Sequence, residues 1–169
     1  MKKNMLILAA LLCSAFLFSA CGDDEPDVTA TVTYTLTTND VTQAANVVIY
    51  YVGDNGEKKF ETMSAGQSAW FKTVTVKKFS SKVGVLMVVS PKDDASLNKD
   101  NYNVHTECRI DVKYSNGMTN YANTKTLIGQ EAVSKSKIND LLRNKKFEYG
   151  LKLERDGSIT DTSMSYLKD

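Results

Sequence analysis

The chain has 169 residues, of which 21 are Lys or Arg, 20 are Asp or Glu and one is His, so its formal net charge is +1. This length suits one domain with a single core, and the near-neutral charge excludes the strongly basic footprint of a nucleic-acid-binding protein. With 3 Cys in the whole sequence, we do not expect a disulfide framework.

The first twenty residues have the order of a secretory signal. Lys2 and Lys3 precede an apolar run over residues 5–18, and the small pair Ser19-Ala20 follows it. A positive start, an apolar core and small residues at the end are typical of a cleaved signal peptide. The apolar run is also shorter than the roughly 20 residues of a membrane-spanning helix. We therefore expect residues 1–20 to be removed.

A cysteine stands directly after the small pair, and an acidic run follows it. The sequence Phe18-Ser19-Ala20-Cys21 resembles the lipobox of bacterial lipoproteins, with Phe18 where the family usually has Leu. Residues 22–27 resemble the export signal of Bacteroidota-type surface-exposed lipoproteins. The resemblance implies that Cys21 carries acyl chains and that residues 21–27 form an acidic tether. It also implies an outer-membrane lipid anchor, with the protein displayed at the cell surface or, alternatively, facing the periplasm.

From residue 28 onward the sequence predicts β-strands. Apolar residues alternate with threonine from Val28 to Thr37, a period of two that indicates a strand with one buried face. Residues 39–46 read as a polar link. Two β-prone runs, Val47–Val52 and Lys58–Met63, flank an Asn-Gly turn, which indicates a hairpin.

The middle of the chain continues this pattern. Residues 70–79 form the next predicted strand. In Val83–Val89 both alternating sets of positions are apolar, so we expect a central strand that is covered on both faces. A charged loop spans residues 92–103. Residues 104–114 alternate most clearly and place Cys108 on the buried face, and a second Asn-Gly turn leads back through residues 121–127.

One segment has helical spacing. Ser134 is the predicted N-cap, Val133 and Ile138 have the spacing of a hydrophobic staple, and Ile138, Leu141 and Leu142 form an apolar stripe. So short a helix must dock on the sheet to be stable. Residues 147–154 and 159–166 flank an Asp-Gly turn and form the last predicted hairpin.

Nine short strands and one helix predict an all-β fold. We expect residues 28–169 to form a single immunoglobulin-like antiparallel β-sandwich with one short helix. The alternative is a small lipocalin-like meander barrel, because a late helix followed by a further strand also suits that fold.

The sequence contains no recognisable catalytic or metal-binding motif. His105 and Cys108 have the chemistry of a base and a nucleophile, but residues three apart on a strand point to opposite faces. Asp93, Asp94 and Asp100 do not have the spacing of a calcium-binding loop. We therefore expect no enzymatic activity, no cofactor and no metal site.

Three aromatic residues near loops are the candidate ligand-binding residues. Trp70, Tyr102 and Tyr121 together would offer a stacking platform for a sugar; the alternative for Trp70 is a place in the core. The predicted helix carries basic residues that either face solvent or contact anionic lipid headgroups. These basic residues are Lys135, Lys137, Arg143, Lys145 and Lys146.

The expected function is therefore a surface-displayed, lipid-anchored, non-enzymatic module that binds a protein or a glycan. One alternative is an accessory subunit of an assembly, which accepts a partner strand along an open sheet edge. The threonine-faced first strand is the predicted place for such an edge. Another alternative is a barrel that carries an apolar ligand, and an enzyme with catalytic groups from distant positions is a third.

Overall fold

The computed structural model describes residues 27–143 and 145–168. The predicted signal peptide and Cys21 lie outside the described residues. Within them, no helix is both long and apolar enough to cross a membrane. In chain order the elements are β1 (Ala30–Thr38), α1 (Val41–Ala44), β2 (Ala45–Val52), β3 (Lys58–Met63), β4 (Ala69–Val76), β5 (Ser81–Pro91), β6 (Asn101–Tyr114), β7 (Asn120–Ser134), α2 (Lys135–Leu142), β8 (Lys146–Leu153) and β9 (Ile159–Thr162), with 3-10 turns at Asp94–Ser96 and Ser165–Lys168.

The strands form two antiparallel sheets. The four-stranded sheet has the order β4-β1-β6-β7, and the five-stranded sheet has the order β3-β2-β5-β8-β9. The predicted all-β antiparallel sandwich is therefore confirmed. No ladder joins the two sheets into the alternative barrel anywhere in the described part of the chain. The nine strands found in residues 27–143 and 145–168 all start after residue 29, so a chain that begins at Gly22 contains every one of them.

Alternation along the strands builds the core between the sheets. In β1, Ala30, Val32, Tyr34 and Leu36 are fully buried, and the threonines between them face outward. Cys108 of β6 lies in the same core, as its parity predicts. Each large apolar side chain buried in this way stabilises the fold by about 1.5–3 kcal/mol.

The central strand β5 is covered on both faces, as predicted. Val85 and Met87 face the core between the sheets, whereas Leu86 packs on the outer side against Met164 and Leu167. The chain after β9 therefore folds back over the outer face of the five-stranded sheet. This covering explains why β5 is apolar at both parities.

Local structure differs from the prediction in several places, and the last strand, β9, ends at Thr162 rather than at residue 166 because a 3-10 turn follows at Ser165–Lys168. The link after β1 contains the helical turn α1, because Val41 and Ala44 are buried there and hold it against the core. Strand β7 continues to Ser134 rather than ending near residue 127. Ser134 is the residue before α2, but its hydroxyl contacts Ser136 Oγ at 3.2 Å and caps no backbone N–H.

The strand directions define two ends of the sandwich. At the N-terminal end, β1 begins at Ala30 opposite Val76, where β4 ends, and Tyr114, where β6 ends. The β2–β3 turn lies at this end, since Asp54 accepts a hydrogen bond from Thr75 N–H at 2.6 Å. The opposite end, called the far end, carries α1, the β5–β6 loop and α2.

Candidate functional site

The sandwich has two open sides, at which the edge strands of one sheet face the other sheet. On one side β3 and β4 face each other, and on the other side β7 faces β8. The side chains between the edges differ, so the two sides have different chemistry.

A charged network closes the β3–β4 side. The Glu61 carboxylate accepts hydrogen bonds from Lys72 Nζ at 2.7 Å, Trp70 Nε1 at 2.8 Å and the Tyr51 hydroxyl at 3.0 Å. Lys72 Nζ also stands 5.7 Å from the centre of the Tyr51 ring. Because β3 supplies Glu61 and β4 supplies Trp70 and Lys72, these bonds join the two sheets.

This network makes a testable contribution to acid stability. The hydrogen bonds from Lys72 and then Trp70 lower the pKa of Glu61 below its usual 4.5. We expect Glu61→Gln to lose about 1 kcal/mol at neutral pH, an amount kept small by solvent screening because the Glu61 and Lys72 side chains are 38% and 41% exposed. A lowered pKa stabilises the fold above the unfolded-state pKa, and this stabilisation is lost as the pH falls through the folded-state pKa.

The wild type and Glu61→Gln should therefore converge in acid when unfolding is followed by urea titration at several pH values. Glu131→Gln is the control, because Glu131 is exposed and forms no ion pair among the described residues. A constant difference between wild type and Glu61→Gln at every pH would contradict the role given to the carboxylate charge.

The β7–β8 side is closed only in the half nearer the N-terminal end. There the Tyr121 and Tyr149 hydroxyls are 3.1 Å apart, and Lys125 Nζ lies 5.7 Å from the centre of the Tyr149 ring. Lys125 is opposite Cys108 in the register and so has the inward parity. An inward-pointing charge on an edge strand discourages pairing with another strand. This half of β7 is therefore a poor place for a partner strand.

Strand β7 bends away from its neighbour in the other half. Val104 faces Glu131 and Glu107 faces Thr126, so β7 has two more residues than β6 over this stretch. Extra residues of this kind are β-bulges, which bend a strand and interrupt its ladder. The outer edge of β7 pairs with no strand in the described residues, and β9 covers β8 only from Gly150 onward.

A groove opens between this bent part of β7, the end of α2 and the start of β8. Its volume is about 300 Å³, and four apolar side chains form most of its surface, with one acidic and one basic residue beside them. Gly129 is one of the lining residues, and no atom stands within 4 Å of the position that a Cβ would take. The groove is lined by Ile128, Gly129, Glu131, Leu141, Leu142, Lys145 and Phe147.

A second cavity, at the far end, is polar. It measures about 320 Å³ and is lined by Thr38, Asn39, Asp40, Thr42, Gln43, Gly66, Gln67, Ser68 and Asn103. Burial alone would raise the pKa of Asp40, but the hydrogen bonds from Lys99 Nζ at 2.7 Å and Asn103 N–H at 2.8 Å outweigh it and lower the pKa. Two hydrogen bonds therefore hold the Asp40 carboxylate in place beside amide and hydroxyl groups. Side chains of these kinds hydrogen-bond well to polar ligands.

The three aromatic residues predicted to bind a ligand do not share a surface. Trp70 and Tyr102 are buried, with exposed fractions of 5% and 0%, and Tyr121 is partly buried against the core. Trp70 stands level with Cys108 across the sheet, and Tyr102 lies six residues farther along β6, about 20 Å away. Trp70 thus takes the alternative role of a core residue, and the predicted stacking platform is not formed.

The other polar candidates are also separated. His105 Nε2 lies 3.3 Å from Glu107 on the outer face, whereas Cys108 is inside, where burial raises the pKa of its thiol to about 12. Asp94 accepts a hydrogen bond from Asn139 at 2.6 Å. No group of three or more His, Cys, Asp or Glu residues in the described ranges is placed to hold a metal ion.

The open edge lies elsewhere than predicted. Strand β1 pairs with β4 on one side and with β6 on the other, so its threonine face is part of a complete sheet and the prediction of an edge at β1 is wrong. The groove residues were missed because they come from three elements. One signal was present: the pair Leu127-Ile128 followed by Gly129 breaks the alternation, which is typical of a bulge.

Comparison with known proteins adds no family to this picture. No family model matches the chain, and no curated protein or solved structure is significantly similar to it.

Proposed function

We propose that the protein is a lipid-anchored, non-enzymatic binding module of the outer-membrane surface, which takes an extended segment of a partner protein into the groove beside β7. The observation that carries the proposal is the coincidence of an unpaired strand edge with an apolar groove. Extended peptides bind such edges by main-chain hydrogen bonds, and pockets beside the edge select alternate side chains.

The chemistry of the groove indicates what such a segment contains. Ile128, Leu142 and Phe147 favour an aliphatic or aromatic side chain, because burial of apolar surface is the main favourable term. Glu131 and Lys145 beside them suit a polar or charged residue of either sign. A segment that alternates apolar and polar residues would therefore meet both the groove and the free edge of β7.

The position of the groove is consistent with the proposed lipid anchor at Cys21. The described chain begins at the N-terminal end, whereas the groove is formed by the half of β7 that runs into α2 at the far end. A tether on Cys21 would thus hold the opposite end of the sandwich to the membrane. The groove would remain accessible to a partner outside the cell.

The lipid anchor has its own test. In Cys21→Ala no acyl chain can be attached at this position, and two or more chains are needed for stable anchoring. We expect the wild type in the outer-membrane fraction and Cys21→Ala in the soluble fraction of fractionated cells, and wild type alone should be cleaved by protease added to intact cells. Cys21→Ala that stays in the membrane fraction would refute the lipid anchor.

A random peptide library displayed on phage tests the binding site. The bait is the chain from Gly22 to Asp169, which keeps every strand of the fold. We expect the selected peptides to alternate apolar and polar residues and to compete with one another for one site. Selection of peptides without such alternation, or of none, would contradict the proposal.

Glycan binding is the second candidate, and the polar far-end cavity favours it. Its lining of hydroxyl and amide groups and the Asp40 carboxylate matches the hydrogen-bonding groups of a sugar. A glycan array probed with wild type and Asp40→Ala separates the two candidates. Binding that depends on Asp40 would support the glycan, and no binding would leave the peptide groove as the stronger site.

A further inference from the structure

The N-terminal end of the sandwich contains a third cavity, of about 180 Å³. Three buried valines line it together with three exposed lysines, Lys77, Lys78 and Lys82. Lys77 and Lys78 are consecutive residues just after β4, and Lys82 lies near the start of β5. The cavity therefore brings three lysines together with one carboxylate, that of Asp54. Its valines are Val52, Val76 and Val83.

Among the described residues, no acidic side chain forms an ion pair with Lys77, Lys78 or Lys82. Asp54, which lines the cavity, accepts a hydrogen bond from a backbone N–H, Asp27 is exposed just before β1, and three further acids have partners other than these lysines. The pairs are Asp54 with Thr75 N–H at 2.6 Å, Glu57 with Lys59 at 2.8 Å, Glu154 with Lys152 at 2.5 Å and Asp156 with the Ser158 hydroxyl at 2.7 Å.

The lysines lie where the chain enters the fold. Ala30, the first residue of β1, is directly opposite Val76, the residue before Lys77. The predicted tether, residues 21–27, spans at most about 25 Å when fully extended. Because the tether joins β1 at this end, an anchored chain presents Lys77 and Lys78 to the membrane before any residue of the far end.

We propose that Lys77, Lys78 and Lys82 bind the phosphate groups of anionic membrane lipids and orient the anchored sandwich with its far end outward. The inference rests on the proposed lipid anchor for its geometry only, since the lysines attract an anionic surface without it. A basic residue near an anionic membrane contributes about 1 kcal/mol to binding. The basic residues in and just after α2, for which the sequence left solvent exposure and lipid contact open, lie at the other end.

Vesicle binding by the unlipidated chain from Gly22 to Asp169 tests the proposal. We expect it to bind phosphatidylcholine vesicles that contain phosphatidylglycerol, to ignore vesicles of phosphatidylcholine alone, and to bind less tightly as salt is raised. The double variant Lys77→Glu/Lys78→Glu should lower the partition coefficient at least roughly thirtyfold, the factor expected when two lysines are lost. Both residues are exposed, so the variant should keep its melting temperature.

The matched control is Lys137→Glu/Lys146→Glu, which makes the same charge change on exposed residues toward the far end. We expect this control to bind anionic vesicles as the wild type does. Equal weakening by both double variants, equal binding to neutral vesicles, or saturable binding of inorganic phosphate without vesicle binding would overturn the proposal. Lys77→Glu/Lys78→Glu should still bind the selected peptides. Peptide binding therefore tests the groove, and vesicle binding tests the lysines, so that either proposal can fail without the other.

Discussion

Gly84→Ala is expected to lower the free energy of unfolding by about 2–5 kcal/mol, from backbone strain and overpacking together. Gly84 has a φ of 152° and lies opposite Gly150 in the centre of the five-stranded sheet. A Cβ on Gly84 would meet the Tyr149 carbonyl oxygen and would stand 2.6 Å from Gly150 Cα. These are backbone atoms of a paired strand, so they cannot move aside cheaply.

The Met164 side chain fills the space above Gly84 and Gly150. Both glycines have the outward parity, and Met164 packs against them, fully buried, where the chain folds back over the sheet. A side chain at Gly84 would therefore also displace the C-terminal cover from Leu86. Equilibrium unfolding in urea measures the expected loss.

Gly66→Ala separates the two contributions to this loss. Gly66 also has a positive φ, of 80°, but no atom lies within 4 Å of its Cβ position. Its substitution should cost only the strain, about 1–2 kcal/mol. If Gly84→Ala were no worse than Gly66→Ala, the close packing of β5, β8 and Met164 would not be what requires the glycine.

Gly129→Trp is expected to abolish binding of the selected peptides, with an affinity loss of about thirtyfold or more, the effect of removing a main contact of an interface. Gly129 lines the groove and the space around its Cβ position is empty, so an indole there has room to lie across the groove. For the same reason the substitution should not strain the strand. Fluorescence polarisation with a labelled peptide measures the affinity, and the melting temperature reports the fold.

Ala122→Trp is the matched control for the groove. Ala122 is exposed on the same strand, but it lies toward the N-terminal end, opposite Asp111. The Ala122→Trp substitution also adds an indole to β7 but does so away from the groove, so the affinity for the peptide should be retained. Equal loss of binding in both variants would place the peptide elsewhere on the strand.

Local alternation made the fold predictable from the sequence. A period of two from Ala30 to Leu36 and around Cys108 assigns one face of each strand to the core, and the Asn-Gly and Asp-Gly pairs mark the hairpins. The apolar run of β5 likewise predicted its central place. These signals lie within a few residues of one another, so they can be interpreted without knowing how the strands are ordered.

Strand order and the groove could not be derived in this way. Whether β1 is an edge depends on its pairing with both β4 and β6, contacts between residues far apart in sequence. Trp70 stands near a loop in sequence, yet its indole is buried and donates a hydrogen bond to Glu61 of the other sheet. The groove needs β7, α2 and β8 together, and only the break in alternation before Gly129 indicated its position.

Amide hydrogen exchange on the complex with a selected peptide tests the central claim, that an extended partner segment pairs with the free edge of β7. The account predicts slower exchange in residues 126–132, where β7 borders the groove, and unchanged exchange in β4, the other edge of the same sheet. Protection confined to the far-end loops at residues 39–44 and 64–68, with β7 unchanged, would contradict it.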